Sequence, residues 1–431
     1  MESSVAIIGA GVTGLSAGME LGERAIVFEK SKTVGGVVKS ICFDGYWFDN
    51  VVHLLHFRND DTKGRIKELM GDMLKPCPPV GWVVTKEGTV RYPLQLNIGG
   101  LNDLAQIRCI TDYLIRIRNV EPSSYREFLE CTFGSEMCNI FFYPYNEKLW
   151  KYPLDDMTAS GLVWNINAPD LKAFTEGILH PNQPRNTYNA NAYYPQPPES
   201  HSQRGMGLLT KALAEKVNNL VLNYEVQKID VKAHKLISHL DYCNYDKLLS
   251  TIPLPALMRL CDAPASLMAE VSRLRWNNVL SVAIAVKGDR PKDTGHWRYF
   301  ADPELPFTKV IYMTEFDTHN APEDGFGLLV EVPIPSTNTH EMNCMLFNKA
   351  NLALEDVDVL KSGDKVVDIN AWIVDPAYVI FTKETPSIVW HCKEYLAQFG
   401  ITPLGRYGSW EYSSMAENIE DGFNYAKSIK Q

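Results

Sequence analysis

The sequence predicts an α/β protein in which a parallel, doubly wound sheet is joined by a helical insertion and by a second, mixed or antiparallel sheet. Three observations predict it. A strand, a glycine turn, a helix and another strand follow one another before residue 30, helical spacing dominates residues 101–170, and strand-like runs crowd residues 280–332.

Val5-Ala6-Ile7-Ile8 is a short apolar, partly β-branched run, and Leu15 to Leu21 has the three- and four-residue spacing of a buried helix face. Arg24 to Glu29 reads as the second strand, and a right-handed crossover of this kind makes the two strands parallel. Beyond residue 101, apolar residues recur at helical intervals in the 104–110 and Tyr125 to Phe133 stretches. Pro181 to Pro198, rich in Pro, Asn and Tyr, reads as a loop, and a fresh helix starts near Gly205 and runs through Leu208 to Val217. Val221-Leu222, Val226 to Ile229 and Lys247 to Ser250 read as short strands, ending at a turn over Ile252-Pro253-Leu254-Pro255. Leu280 to Val286 and Lys309 to Met313 belong to the second sheet. The expected division is a discontinuous dinucleotide-binding domain (1–100, 200–265 and 395–431), a helical insertion (101–195), and a substrate-binding sheet domain (266–394, with parts of 80–100).

With 431 residues, 45% of them hydrophobic and 22% charged, the chain has the composition of a globular enzyme. Its 42 Lys and Arg against 52 Asp and Glu leave a formal charge of -10, with no basic run to track a phosphate backbone, so nucleic acid is not an expected partner. Nine cysteines without metal-type spacing read as reduced thiols in a cytoplasmic compartment. No signal peptide, membrane span or metal site is expected.

Gly9-Ala10-Gly11-Val12-Thr13-Gly14 sits between the predicted strand and helix, the context that gives a G-x-G-x-x-G motif meaning. Gly9 permits the tight turn, Gly11 lets backbone approach a pyrophosphate, and Gly14 lets helix pack on sheet, with the phosphates at a helix N-terminus. Glu29, at the end of the second strand, can accept hydrogen bonds from ribose hydroxyls. The bland alternative is a glycine turn that only packs the unit. Lys30 to Gly36 then brings a second glycine pair, Gly35-Gly36, just past that acid. It resembles the second glycine motif of the large FAD superfamily of amine oxidases and protoporphyrinogen oxidase, and implies a Rossmann-like, glutathione-reductase-type FAD-binding domain.

Within that superfamily four further segments resemble the UDP-galactopyranose mutase family. His53-Leu54-Leu55-His56 is similar to a bacterial segment beside the isoalloxazine, and Tyr143 to Trp150 to the P-Y-N-x-K-x-W segment near the substrate's nucleotide. His296 to Lys309 follows a eukaryotic-type pattern in which Tyr299 precedes a basic residue for the diphosphate by ten positions, with Lys309 in place of the family's arginine. Gly405-Arg406-Tyr407-Gly408-Ser409-Trp410-Glu411-Tyr412 resembles the C-terminal G-R-Y-x-x-W/Y-x-Y segment, after which a closing helix is expected from Asn418.

The resemblance implies a flavin-dependent mutase that interconverts the pyranose and furanose rings of a nucleotide-diphosphate sugar through a covalent adduct at N5 of reduced FAD, with NAD(P)H as a candidate reductant. It implies Arg406 and Lys309 as the cationic pair, Tyr299, Tyr378 and Tyr412 as hydroxyl donors, and His53 beside the flavin. Gly9, Gly11, Val12, Thr13, Gly14, Glu29, Lys30, Gly35, Gly36, His53, Val226, Arg406, Glu417, Asn418 and Ile419 would touch the cofactor; Tyr145, Asn146, Trp150, Tyr193 and Arg204 the substrate. Each tyrosine has a structural alternative, since buried phenols usually find some partner.

The chain departs from the family at three places. Val51-Val52 stands where the mutases carry small residues, Lys309 replaces an arginine, and Ala192-Tyr193-Tyr194-Pro195 puts tyrosine at the second diphosphate arginine, with Arg204 the candidate substitute. The sugar therefore stays open. A superfamily oxidoreductase acting on an amine or porphyrinogen-like substrate is the rival enzyme. The non-catalytic rival is a GDP dissociation inhibitor, against which the intact glycines and Glu29 count. The helical insertion offers a surface for a homodimer.

Overall fold

The computed structural model describes residues 1–52, 54–116, 121–159, 168–183, 188–239 and 241–430. The chain opens as expected, with strand β1 (Glu2–Ile8), helix α1 (Val12–Leu21) and strand β2 (Ala25–Phe28). β1 lies parallel to β2 on one side and to Tyr242–Ser250 on the other, and Leu220–Val221 and Ile401–Pro403 extend the parallel array. Val226–Asp230 and Lys235–Ser238 complete the sheet as antiparallel strands. β1 is buried over Val5 to Ile8, and the helix at residues 415–430 packs on α1, so this sheet is covered on the face that carries the glycine turn.

A second sheet runs in the order 365–380, 275–287, 325–335, 309–312, 297–300, 81–85, 88–91. It is mixed: Trp297–Phe300 is parallel to Gly81–Thr85 and the other pairs are antiparallel. Gly325–Pro335 is buried over nearly its whole length, which is why its residues read as a continuous apolar run rather than an alternating one. Glu331 is the lone acid in that run.

The region expected as a helical insertion contains the helices Asp103–Ile115, Tyr125–Phe133, Tyr143–Trp150 and Leu171–Leu179. Three of these four helices start on a side-chain cap: Asn102 accepts from the Ala105 amide, Ser124 from Glu127 and Asp170 from Ala173. Stacking of Tyr113 on Phe174, with ring centroids 3.9 Å apart, joins the first helix to the last.

Three local expectations change. Ala192–Pro195, read as loop, is a strand held between Leu55–His56 and Leu74–Pro76, because its partners and the burial of Tyr194 come from elsewhere in the chain. The proline pair at 253–255 starts a helix, Leu254–Leu260, rather than closing a turn; proline fits a first helical turn, where its missing N–H has no partner to lose. The closing helix begins at Met415, not Asn418, since Ser414 and Glu417 form a reciprocal capping box.

Arg204, the candidate diphosphate ligand, is instead a structural cation. Its guanidinium is buried, 2.5 Å from the equally buried Asp317, and donates to the carbonyls of Pro197, Pro198 and Glu199. Asp49 is a buried carboxylate with no cation paired to it among the described residues. It accepts from Ser40 Oγ at 2.6 Å, Tyr194 OH at 2.8 Å and the Met206 amide at 2.9 Å, and burial still raises its pKa to about 6.

Arg204→Met, which leaves Asp317 charged and buried, should lower unfolding free energy by about 3–5 kcal/mol in urea titrations. Tyr194→Phe should cost about 2 kcal/mol at pH 8, where Asp49 is ionised. The loss should shrink at pH 5, because Asp49 is protonated in the fold below about 6 and a neutral acid needs that donor less.

Candidate active site

The glycine cradle is built by contact. Gly9 adopts φ 101° and donates from its amide to the Phe28 carbonyl at 2.8 Å, turning the chain off β1. A Cβ on Gly14 would lie 2.0 Å from the Gly9 carbonyl oxygen, so α1 approaches the strand only because this residue has no side chain. A Cβ on Gly11 would meet nothing within 4 Å: its surroundings are open, as a site for a pyrophosphate requires. Helix α1 starts there without a side-chain cap, leaving its first-turn amides to hold an anion. Val12 and Thr13 are buried in that turn.

Glu29 is buried and points back into the turn. One carboxylate oxygen accepts from the Ala10 amide and the other from Ser31, each at 2.9 Å, and each keeps a lone pair for a ribose hydroxyl. Gly35 donates to the Ala10 carbonyl, and Gly36, at φ 56°, would bring a Cβ to 3.5 Å from Gly11. The two glycine motifs therefore form one cradle, and these residues fit a dinucleotide. Lys30 is exposed beside it, and Val226 is buried at the start of its strand, in the cluster that holds Phe28. His53 lies outside the described residues.

The C-terminal segment reaches this cradle through Asn418. Its Oδ1 accepts from the Arg406 amide at 2.5 Å and from Thr13 Oγ at 3.4 Å, while its Nδ2 donates to Ser413 Oγ and the Ser414 carbonyl. The side chain expected to bind cofactor is thus fully engaged by protein. Glu417 also differs from expectation, for it caps its helix and pairs with Arg58 at 2.9 Å. Ile419 is wholly buried in that helix.

With its backbone fixed, Arg406 lays its guanidinium on the ring of Tyr412, 4.3 Å from the centroid, with Tyr378 and Tyr407 just under 6 Å away. It donates to the carbonyls of Ser413 and Ala377, and its buried Nε has no partner among the described residues. Tyr378 stacks on Tyr412 at 6.3 Å and meets Trp150 edge-on at 5.8 Å. Asn277 locks that corner, donating to the carbonyls of Leu149 and Trp150 and accepting from the Tyr378 amide.

A second group faces the first. Tyr299 lies in register with Lys309, and its ring is 5.2 Å from Tyr92 and 5.5 Å from Tyr145. Lys309 Nζ sits 5.0 Å from the Trp297 ring and 3.8 Å from the carboxylate of Glu331. Burial raises the pKa of Tyr145, Tyr299 and Tyr378 well above the usual phenol value, and the like charges of neighbouring phenols and Glu331 raise it further. These hydroxyls stay protonated, which leaves them able to donate. On the same helix as Tyr145, burial pulls Lys148 down to about 7; its Nζ donates to the Asp302 carbonyl at 2.7 Å.

The structure therefore brings Arg406, Lys309, Tyr299, Tyr378, Tyr412, Tyr145 and Trp150 into one aromatic cluster. Two other residues expected at the substrate have structural partners instead. Asn146 is a scaffold residue, accepting from Tyr125 OH and the Trp150 indole and donating to the Phe142 carbonyl. Tyr193 packs on Phe57 and under Lys63 and Lys67 of the 60–70 helix, on the opposite side of its strand from buried Tyr194. Tyr92 and Glu331 are members the sequence reading missed. For Glu331 a signal existed, a single charge in the apolar run from Phe326 to Ile334; for Tyr92 none did.

No three His, Cys, Asp or Glu side chains among the described residues are placed to hold a metal ion. Nor is any described helix long and apolar enough to cross a membrane.

The fold is similar to that of reduced UDP-galactopyranose mutase, with a TM-score of 0.91 at 22% identity, covering 100% of this chain and 94% of that one. It is also similar to a putative protoporphyrinogen oxidase from Exiguobacterium sp., with a TM-score of 0.75 at 16% identity over 99% of this chain and 98% of the other. Putrescine oxidase follows the same fold at a TM-score of 0.61 and 14% identity, over 100% of this chain and 99% of its own. Residues 12–338 match the family model described as flavin containing amine oxidoreductase. That match spans most of the chain and begins inside the glycine cradle, so the protein belongs to the flavin containing amine oxidoreductase family.

Proposed function

We propose that this protein is a flavin-dependent nucleotide-sugar mutase, interconverting the pyranose and furanose rings of a nucleotide-diphosphate sugar. The observation that carries the reading is Arg406: its backbone is tied through Asn418 to the cofactor cradle while its guanidinium, with one N–H unpartnered, lies on a tyrosine of the pocket. A cation held there suits a departing anion at the flavin edge better than it suits an amine, which would arrive with its own positive charge.

FAD, when bound and reduced, would supply the nucleophile at the anomeric carbon. The residues of the chain orient and hold charge. Glu29 and the α1 amides would fix ribose and pyrophosphate. Arg406 and Lys309 would hold the diphosphate, with Tyr299, Tyr378 and Tyr412 donating hydroxyls. Trp150 and Tyr145 offer ring faces to the nucleotide side, and their close packing limits water. NAD(P)H is the reductant of this reading. Nine cysteines, all unpaired, support a reducing, cytoplasmic setting. Exposed Leu104, Ile107, Leu171 and Leu179 on two insertion helices support a homodimer through that face.

An oxidase of the amine or protoporphyrinogen type is the second reading, favoured by the family match itself. One experiment separates them. The yellow protein, reduced anaerobically with dithionite, is incubated with a panel of nucleotide sugars and the ring forms are resolved by chromatography. Interconversion without net consumption of reductant is expected; no interconversion with any sugar, together with bleaching of oxidised flavin by an amine, would sink the mutase reading.

Arg406→Ala should reduce kcat/KM by more than Lys309→Ala, by roughly tenfold or more, since a charge-assisted guanidinium contact is the stronger and Lys309 is already compensated by Glu331. Steady-state kinetics of the two variants check the ranking, and equal losses would refute it.

A further inference from the structure

Tyr145 and Trp150 enter the aromatic cluster from the 143–150 helix, and two side chains fasten that helix to the second sheet. Asn277 of the 275–287 strand donates to the Leu149 and Trp150 carbonyls, which seats Trp150 against Tyr378. Lys148 makes the other fastening. Its Nζ donates at 2.7 Å to the carbonyl of Asp302, just past the end of the 297–300 strand that carries Tyr299.

This amine is in an unfavourable place. Lys148 is 6% exposed, and the carboxylate of Asp302 is turned elsewhere: it accepts from the Glu304 amide at 3.0 Å and lies 3.6 Å from exposed Lys86. Burial lowers the proton affinity of the amine, the charge of Lys151 lowers it further, and Asp302 opposes both. A methionine would fill the same space without desolvating a charge, but it could not hold the Asp302 carbonyl. That carbonyl is itself well anchored. Ala301 next to it donates to the Val84 carbonyl at 3.1 Å, and the 297–300 strand is paired on both sides, with 81–85 and with 309–312.

Lys148 lies three residues from Tyr145 on one helix face, and Asp302 lies three residues beyond Tyr299. The 2.7 Å bond therefore spans the same two segments as the edge-on contact of the Tyr145 and Tyr299 rings, whose centroids are 5.5 Å apart. We propose that Lys148 is a positioning residue: through the Asp302 carbonyl it fixes the separation of Tyr145 from Tyr299, and with it the ring geometry offered to the nucleotide. The occupant rests on the mutase reading; the spacing does not. Because the charge at the flavin edge is assigned to Arg406, loss of Lys148 is felt in binding and not in turnover.

The test places a fluorinated tyrosine at position 299 of the oxidised holoprotein, where the ring current of Tyr145 sets the fluorine resonance. Lys148→Met should displace that resonance, raise the KM for UDP-galactose and the Kd of UDP about tenfold, the scale of one buried hydrogen bond, and leave kcat within about twofold. Lys148→Arg, which keeps a donor of similar reach, should restore most of both. Lys86→Met, which removes the charge beside the Asp302 carboxylate but leaves its carbonyl held, should change neither. Lys148→Leu is read in the same way should the methionine variant not fold. An unmoved resonance, a fall in kcat without a rise in KM, or the same changes in Lys86→Met overturns the proposal and leaves the mutase reading in place. A wild-type protein that neither binds UDP nor converts UDP-galactose removes the mutase reading, and the resonance alone then decides the spacing.

Discussion

The saturated amide of Asn418 is the constraint on which the site depends. Its four hydrogen bonds join three pieces of chain that are far apart in sequence: the glycine turn at Thr13, the Arg406 backbone and the start of the closing helix. An amide has two donors and, on its oxygen, two acceptor positions; with all four used and the residue buried, there is one low-energy arrangement of these segments. Gly405 adds a steric condition, for it takes φ 78° with its would-be Cβ 2.6 Å from Thr13 Oγ. The cofactor cradle and the Arg406 backbone are thereby tied to one side chain.

Rigidity on the opposite side comes from the second sheet. Asn277 ties Trp150 to Tyr378, and Trp372 and Ser281 both donate to the Asn50 carbonyl, steadying the strand that leads into residues 51–52. Val51 packs with Val37, Val279, Val374, Trp372 and Tyr378 in a small cluster where the two sheets meet. The β-branched pair that departs from the mutase pattern therefore has a packing role in this chain.

Charge in the pocket is sparse and unequally balanced. Arginine keeps its proton in any protein environment, so the face of Tyr412 is a fixed positive site. Lys309 and Glu331, 3.8 Å apart in a buried setting, are the compensated pair. Protonated tyrosines fill the remainder, giving donors without net charge.

The sequence by itself determined the cradle. Glycines come at fixed offsets along a strand-turn-helix, where a helix packs on backbone or backbone approaches a phosphate, so Gly9, Gly11, Gly14 and Glu29 are legible from spacing, and the Gly35-Gly36 pair from resemblance. The mixed second sheet was legible from its apolar runs, and the tyrosine-arginine segments from resemblance. Tertiary structure decided what each polar side chain faces. Arg204 meets Asp317, Asn146 meets Trp150, Tyr193 turns to the outer helix, and Tyr92 and Glu331 enter the pocket. Those partners lie up to hundreds of residues away, and a side chain's role follows from the low-dielectric neighbourhood that packing creates, which no local pattern encodes.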